Sequence, residues 1–247
     1  METTIANAAR SPLPSLLETA LKEGLVYSAD GTKTKLHSNV SLEEALQLYK
    51  AVTSLKARRT AEVGFAQGIS CLAILQGLSD NGGGEHHVMD PFQAKFGDVG
   101  IEMVRRSGLN HLLTFYRKFP EEVIPSLPTL DFVFIDASHL FDLTLFEFVL
   151  ADKKLRVGGY IGFHDLWMPS LQKMLRYILS NRSYRVVNAA PSSGLSFKHR
   201  FLQSLPGAAR LLKPEMIEPW SAYGMGNMVL IEKTADDSRE WTHHVNF

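Results

Sequence analysis

Four short clusters in this 247-residue chain hold residue types that can do chemistry. The first is Ala61-Glu62-Val63-Gly64-Phe65-Ala66-Gln67-Gly68-Ile69-Ser70, with an acid and two glycines four apart between an apolar run and a helical pattern. Strand, glycine turn and helix in that order make room for a nucleotide-like ligand. A dinucleotide fingerprint reads G-x-G-x-x-G, whereas this chain reads E-x-G-x-x-x-G. That points away from a pyrophosphate cradle and towards a smaller adenosine-bearing cofactor. The second cluster is Asp90, which closes an apolar run from His86; a carboxylate there can accept both hydroxyls of a ribose. The third is Asp136-Ala137-Ser138-His139 and the fourth His164-Asp165-Leu166-Trp167. A histidine with a pKa near neutral can take a proton from a hydroxyl. Each cluster alone has a plain structural reading, since an Asp at a strand end often caps or turns the chain. Their shared position at the ends of apolar runs favours one common site.

Those runs are the elements of an alternating fold. Ser41 with Glu44 makes a capping box ahead of a helix bearing Leu42, Ala45, Leu46, Tyr49 and Val52. Strands are expected at Thr60 to Phe65, His86 to Asp90, Leu112 to Tyr116, Leu130 to Ala137, Tyr160 to Phe163, Tyr184 to Val187 and Asn227 to Ile231. Helices are expected at Gly68 to Leu78, at Asp98 to Ser107, at Phe141 to Leu155 with Val157-Gly158-Gly159 as its stop, and around Leu171 to Leu179. Seven strands with helices between the first five predict a Rossmann-like α/β fold, a mainly parallel sheet with helices on both faces. Ligands of such sheets bind at the carboxyl ends of the strands. Residues 1–40 read as an added helical arm, with Leu16, Leu17, Ala20 and Leu21 on one face and a polar run after it. Residues 41–247 form the main domain, with a lid-like insertion at 191–226 that is basic between Ser196 and Lys213. The tail, with Trp241, packs on the body or on a second copy of the chain.

Bulk composition narrows the function classes. Apolar residues make up 45% and charged residues 21%, and 26 Lys plus Arg balance 26 Asp plus Glu. No net field favours nucleic acid or an acidic membrane. Met1 to Ser11 lacks an apolar run after basic residues, and no segment is apolar enough to span a bilayer, so a cytoplasmic protein is expected. The single Cys71 excludes an internal disulfide and fits a reducing compartment. The expected partner is a small molecule, with no nucleic acid and no membrane; a homo-oligomer is left open.

The order E-x-G-x-x-x-G-x-S, an acid ending the second strand, then D-F-V-F-I-D and G-G-Y-I-G-F-H-D resembles class I S-adenosylmethionine-dependent methyltransferases, in particular the catechol and macrocin O-methyltransferase-like branch. The resemblance implies methyl transfer to a small molecule, at a hydroxyl oxygen. It implies that Glu62, Gly64, Gly68 and Ser70 shape the methionine end of the S-adenosylmethionine pocket, that Asp90 holds the ribose, and that Phe92 covers the adenine. Asp136 would border both the cofactor and the catalytic group. Metal-dependent members bind a divalent cation at the positions of Asp136, His164 and Asp165, and His164 stands where the family often has Asp. One imidazole there would favour Mn²⁺ over Mg²⁺. His139 occupies the position of the family's lysine general base. A metal-free alternative pairs His139 with His164 as acid and base, oriented by Asp136 or Asp165. Two other functions compete: a nicotinamide-dependent oxidoreductase, against which the missing G-x-G-x-x-G argues, and a non-catalytic cofactor-binding relative.

Overall fold

The computed structural model describes residues 11–187 and 227–247; residues 1–10 and the 191–226 insertion with its basic run lie outside them. The first described segment contains α1 (Ser15–Glu23), closed by Gly24 in the left-handed conformation, and an antiparallel hairpin of β1 (Leu25–Tyr27) and β2 (Lys33–Lys35). The sequence pattern predicts only a polar run there. The hairpin is held by Ser28 N–H on the Thr32 carbonyl at 2.9 Å and Thr32 N–H on the Asp30 carboxylate at 2.9 Å, so hydropathy does not reveal it. Leu17, Ala20 and Val26 are buried in the same apolar cluster as the main body.

The expected capping box starts α2 (Leu42–Ser54). Glu44 N–H reaches the Ser41 hydroxyl at 3.3 Å, and Ser41 N–H reaches the Glu44 carboxylate at 2.7 Å. Then come β3 (Arg59–Val63), α3 (Ile69–Asp80), β4 (Glu85–Met89), α4 (Val99–Ser107), β5 (Leu113–Tyr116), the short α5 (Pro120–Val123), β6 (Leu130–Ile135), α6 (Phe141–Asp152), β7 (Leu155–Phe163), α7 (Pro169–Asn181), β8 (Tyr184–Val186) and β9 (Val229–Lys233). The seven strands lie in the order β5-β4-β3-β6-β7-β9-β8. Pairs from β5 to β7 are parallel, and β9 runs antiparallel to both its neighbours. This is the class I methyltransferase arrangement of a Rossmann-like sheet. One boundary differs from expectation: α6 ends at Asp152, and Val157-Gly158-Gly159 lies inside β7. The glycines mark an irregularity in the pairing of β6 with β7 and not a helix stop.

Period-two alternation divides the core between the two faces. Phe132 and Phe134 of β6 join α1 to α4 on one face, while Val133 and Ile135 join α6 and α7 on the other. Burying each of these large side chains contributes about 2–3 kcal/mol. Along β3, Ala61 and Val63 belong to the second face, which turns Thr60 and Glu62 towards α3. In the tail, Asn181 bonds both the N–H and the carbonyl of Val245 at 3.0 Å, and Phe247 meets the Tyr177 ring edge-on at 5.1 Å. Trp241 is 94% exposed, so the tail's contact with α7 does not depend on it. Among the described residues no helix is long and apolar enough to cross a membrane.

Candidate active site

The sheet reverses its winding between β3 and β6, where their carboxyl ends open a crevice. The end of β3 is tied to both neighbouring strands. Gly64 N–H donates to the Met89 carbonyl and Asp136 N–H to the Val63 carbonyl, each at 2.9 Å. Gly64 has φ +90°, and a Cβ there would stand 2.0 Å from the Asp136 carbonyl oxygen, so only glycine fits. Gly68, at φ +81°, starts α3, and a Cβ there would stand 3.1 Å from the Gly100 backbone. Asp90 folds the turn between them. Its Oδ2 accepts from Phe65 N–H at 3.3 Å, Ala66 N–H at 3.2 Å and Gln93 Nε2 at 3.3 Å, and its Oδ1 accepts from Phe92 N–H at 2.8 Å. The turn-forming and ligand-facing readings of Asp90 therefore coexist, since Oδ1 takes one donor and keeps a lone pair.

A cavity of about 890 Å³ runs from this turn along the strand ends. Gly64, Asp90 and Phe92 line one part, and Asp136, His139, His164 and Asp165 line the other. Three residues expected at the methionine end, Glu62, Gly68 and Ser70, do not line it. Alternation along β3 explains this for Glu62, whose side chain points to α3. There it is fully buried, accepts a hydrogen bond from the Ser70 hydroxyl, and bonds His86 Nε2 at 3.0 Å. The position carries a supporting network beneath the turn.

The four polar residues past β6 and β7 form one cluster. His139 Nε2 lies 3.1 Å from Asp136 Oδ1 and 3.2 Å from Asp165 Oδ2. His164 Nδ1 lies 3.4 Å from Asp136 Oδ2 and 3.6 Å from Asp165 Oδ1, and is buried without a directed hydrogen bond. Burial pushes the Asp136 carboxyl up, but its two histidine neighbours outweigh that and hold it at about 2. Burial pulls His164 down, and the carboxylates of Asp136 and Glu44 more than reverse this, to about 10. The bond to Asp136 raises His139 as well, against partial burial. His139 and Asp165 both sit at φ 56°, a conformation that non-glycine residues adopt at a cost. Ligand atoms of Asp136, His139 and Asp165 all lie within 4.8 Å of one another. The metal-compatible trio thus includes His139 where sequence reasoning has His164, because the left-handed turn at His139 swings its ring back over both carboxylates.

Sequence reasoning misses three groups here. Glu44, the helix-capping acid, also stands 3.5 Å from His164 Nε2. Asn227, two residues before β9, places its amide nitrogen 3.2 Å from His164 Nε2 and 3.3 Å from Asp165 Oδ1. Glu147 lines the cavity from α6. Only Glu147 carries a signal in the sequence, as a lone acid in the apolar run Leu145-Phe146-Glu147-Phe148-Val149-Leu150.

Residues 61–166 match a family model described as a methyltransferase domain. Among similar proteins, the flavonoid 3',5'-methyltransferase of Vitis vinifera is 28% identical over 143 residues, 55% of this chain and 59% of that protein. A caffeoyl-CoA O-methyltransferase of Petroselinum crispum is 27% identical over 164 residues, 58% of this chain and 63% of that protein. The chain thus spans less than two thirds of these curated relatives. Among solved structures, the O-methyltransferase from Bacillus cereus in complex with SAH shares the fold with a TM-score of 0.57 at 18% identity, over 74% of this chain and 85% of that one. The O-methyltransferase TomG from Streptomyces achromogenes, in complex with SAM, gives 0.56 at 16%, over 70% and 81%.

Proposed function

We propose that this chain, with its class I methyltransferase fold, is an S-adenosylmethionine-dependent methyltransferase that acts on a hydroxyl oxygen of a small molecule. One observation carries the reading: a single cavity joins Asp90 to the Asp136, His139, His164 and Asp165 cluster. A ribose-accepting acid and proton-handling groups in one space are what such a transfer requires. The volume also suits a nucleoside with a small acceptor beside it.

S-Adenosylmethionine supplies an already activated methyl group. The chain's task is to hold it, align the acceptor oxygen and remove a proton. Asp90 would accept ribose hydroxyls from a position fixed by the N–H groups of Phe65, Ala66 and Phe92. Phe92, 47% exposed on the cavity wall, would cover the adenine. His139, half-exposed between two carboxylates, would take the acceptor proton, and Asp136 would steady the imidazolium that results. His164 on the other side of Asp136 would hold that carboxylate in place.

The same residues fit a divalent cation. Asp136, His139 and Asp165 offer a compact trio, and the unpartnered Nδ1 of His164 faces two of their oxygens. Such a cation would lower the pKa of the acceptor hydroxyl. Two imidazoles among the donors favour Mn²⁺ over Mg²⁺. We also place the protein in the cytoplasm, since its single cysteine is free and buried.

Calorimetric titration with S-adenosylhomocysteine and with NADH tests the cofactor. Binding of the first and not the second is expected; the reverse would overturn the reading in favour of an oxidoreductase. Transfer of labelled methyl from S-adenosylmethionine to a panel of small phenols and alcohols tests the reaction. Cofactor binding without transfer across the panel would favour a non-catalytic role.

A further inference from the structure

One acid in the cavity wall has no part in the chemistry above. Glu147 lies in α6, its side chain only 6% exposed, and among the described residues its Oε2 has no hydrogen-bond partner. Ser138 hydrogen-bonds the carboxyl, which leaves Oε2 as its unpartnered oxygen, and His139 and Glu121 are the charged groups nearby. His139 is the one group among these that can become a cation, and its Nε2 is already held between Asp136 and Asp165. A buried carboxylate compensated by one hydroxyl alone costs more than an apolar side chain of similar shape. The adjoining Phe148 is wholly buried, so the helix packs well here without an acid. Such an orphaned group calls for an explanation, and a ligand that supplies the missing partner is one.

The surroundings indicate what the partner is. Leu143 and Phe146 precede Glu147 on the same helix and line the cavity with it, 45% and 46% exposed, and Phe119 faces it at 47%. These are apolar surfaces open to a ligand. Glu121 of α5 adds a second carboxylate to this wall. The lining lysine, Lys95, stands over the Phe92 ring at 4.3 Å, in the part of the cavity that holds Asp90. The wall around Glu147 is therefore apolar and negatively charged. It favours an aromatic body that bears a cation and disfavours one that bears a carboxylate. Burial pushes the Glu147 carboxyl up to about 7, and an approaching cation would draw that proton off.

We propose that Glu147, backed by Glu121, is an acceptor-recognition subsite for the protonated amine of an aromatic amine-bearing acceptor. Calling the ligand an acceptor rests on the methyltransferase reading; the binding preference does not. Glu147 would orient the acceptor through a group remote from the reacting hydroxyl and so set specificity.

Three probes of one shape test this: phenethylamine, 2-phenylethanol and phenylacetate, titrated at pH 8 into the whole protein with and without S-adenosylhomocysteine. Phenethylamine is expected to bind about tenfold tighter than the alcohol, the worth of a charge-assisted bond, and phenylacetate weaker than either. Glu147→Gln should erase the difference between amine and alcohol while S-adenosylhomocysteine binds as before. Glu121→Gln, at an exposed position, should lower it about two- to threefold, and serves if the first variant does not fold. Equal binding of the three probes, no binding of phenethylamine, or a preference unchanged in the variants would each overturn the proposal. If S-adenosylhomocysteine fails to bind while the amine preference holds, the methyltransferase reading falls and the cation subsite stands.

Discussion

Two acid–histidine clusters sit on the same sheet and are built from the same residue types. Glu62 and His86 lie side by side on β3 and β4, with Ser70 and Cys71 from α3 beside them; Asp136, His139, His164 and Asp165 lie just past β6 and β7. In the first, Glu62, His86 and Thr60 are wholly buried, and both ring nitrogens of His86 are used, on Glu62 at 3.0 Å and on Thr60 at 2.8 Å. Burial raises the pKa of Glu62 in spite of its bonds to His86 and Ser70, and burial also raises that of Cys71. In the second cluster His139, Asp136 and Asp165 are a fifth to a third exposed, one ring nitrogen is unpartnered, and two residues hold strained backbone. Each cluster has three ligand atoms close enough to suit a metal ion. Residue type and proximity therefore do not separate a sealed network from a candidate site. Position does: inside a strand the acid meets a fixed helix, whereas beyond the strand end it meets a cavity.

The comparison breaks most visibly at Asp136. Asp136→Asn keeps the shape but removes the charge that steadies His139 and His164. Methyl transfer is expected to fall about 10²- to 10⁴-fold, the usual range for a lost acid–base contribution, and the urea midpoint to fall as well, since His164 loses a counter-charge, with the protein still folded. Single-turnover transfer and an unfolding curve on the same preparation check both halves. An Asp136 variant that turns over normally would remove the distinction between the clusters. The counterpart is Glu62→Ala, which leaves His86 and Ser70 facing a void. A stability loss of about 3 kcal/mol is expected, with S-adenosylhomocysteine affinity of the folded fraction nearly unchanged. A variant that is stable but has lost cofactor affinity would show that Glu62 acts as a site residue.

The same distinction explains what was legible in the sequence. The seven strands, the glycine turn and the acids closing three of the strands follow from apolar runs and their stops, which are local signals. The convergence of Asp90, Asp136, His139, His164 and Asp165 was legible too, because parallel strands must present their carboxyl ends on one edge. The facing of Glu62 was accessible in principle, since Ala61 and Val63 already belong to the opposite face. A family motif that places the acid in the pocket obscured it. Glu44 and Asn227 were not legible as site residues: their contacts to His164 span 120 and 63 positions and depend on how α2 and β9 dock. Nor was the β1–β2 hairpin, whose turn is held by polar side-chain and backbone bonds that carry no apolar pattern.

Glu147 sharpens the comparison from a third side, for it is sealed like Glu62 but lacks that residue's partners. Burial raises its pKa from the ordinary 4.5 to about 7. Between those values the folded chain keeps a proton that the unfolded chain has released. Stability contributed at this position is therefore full below pH 4.5, declines as pH rises to about 7, and stays low above it. Glu147→Gln cannot ionise and removes that slope. The variant should match the native protein at pH 4 and exceed it by about 3 kcal/mol at pH 8, read from urea midpoints at constant m. Parallel pH profiles for the two proteins would mean that the carboxylate has found a partner, and Glu147 would then belong with Glu62 as part of the scaffold. A native profile that descends alone leaves it as a charge waiting for one.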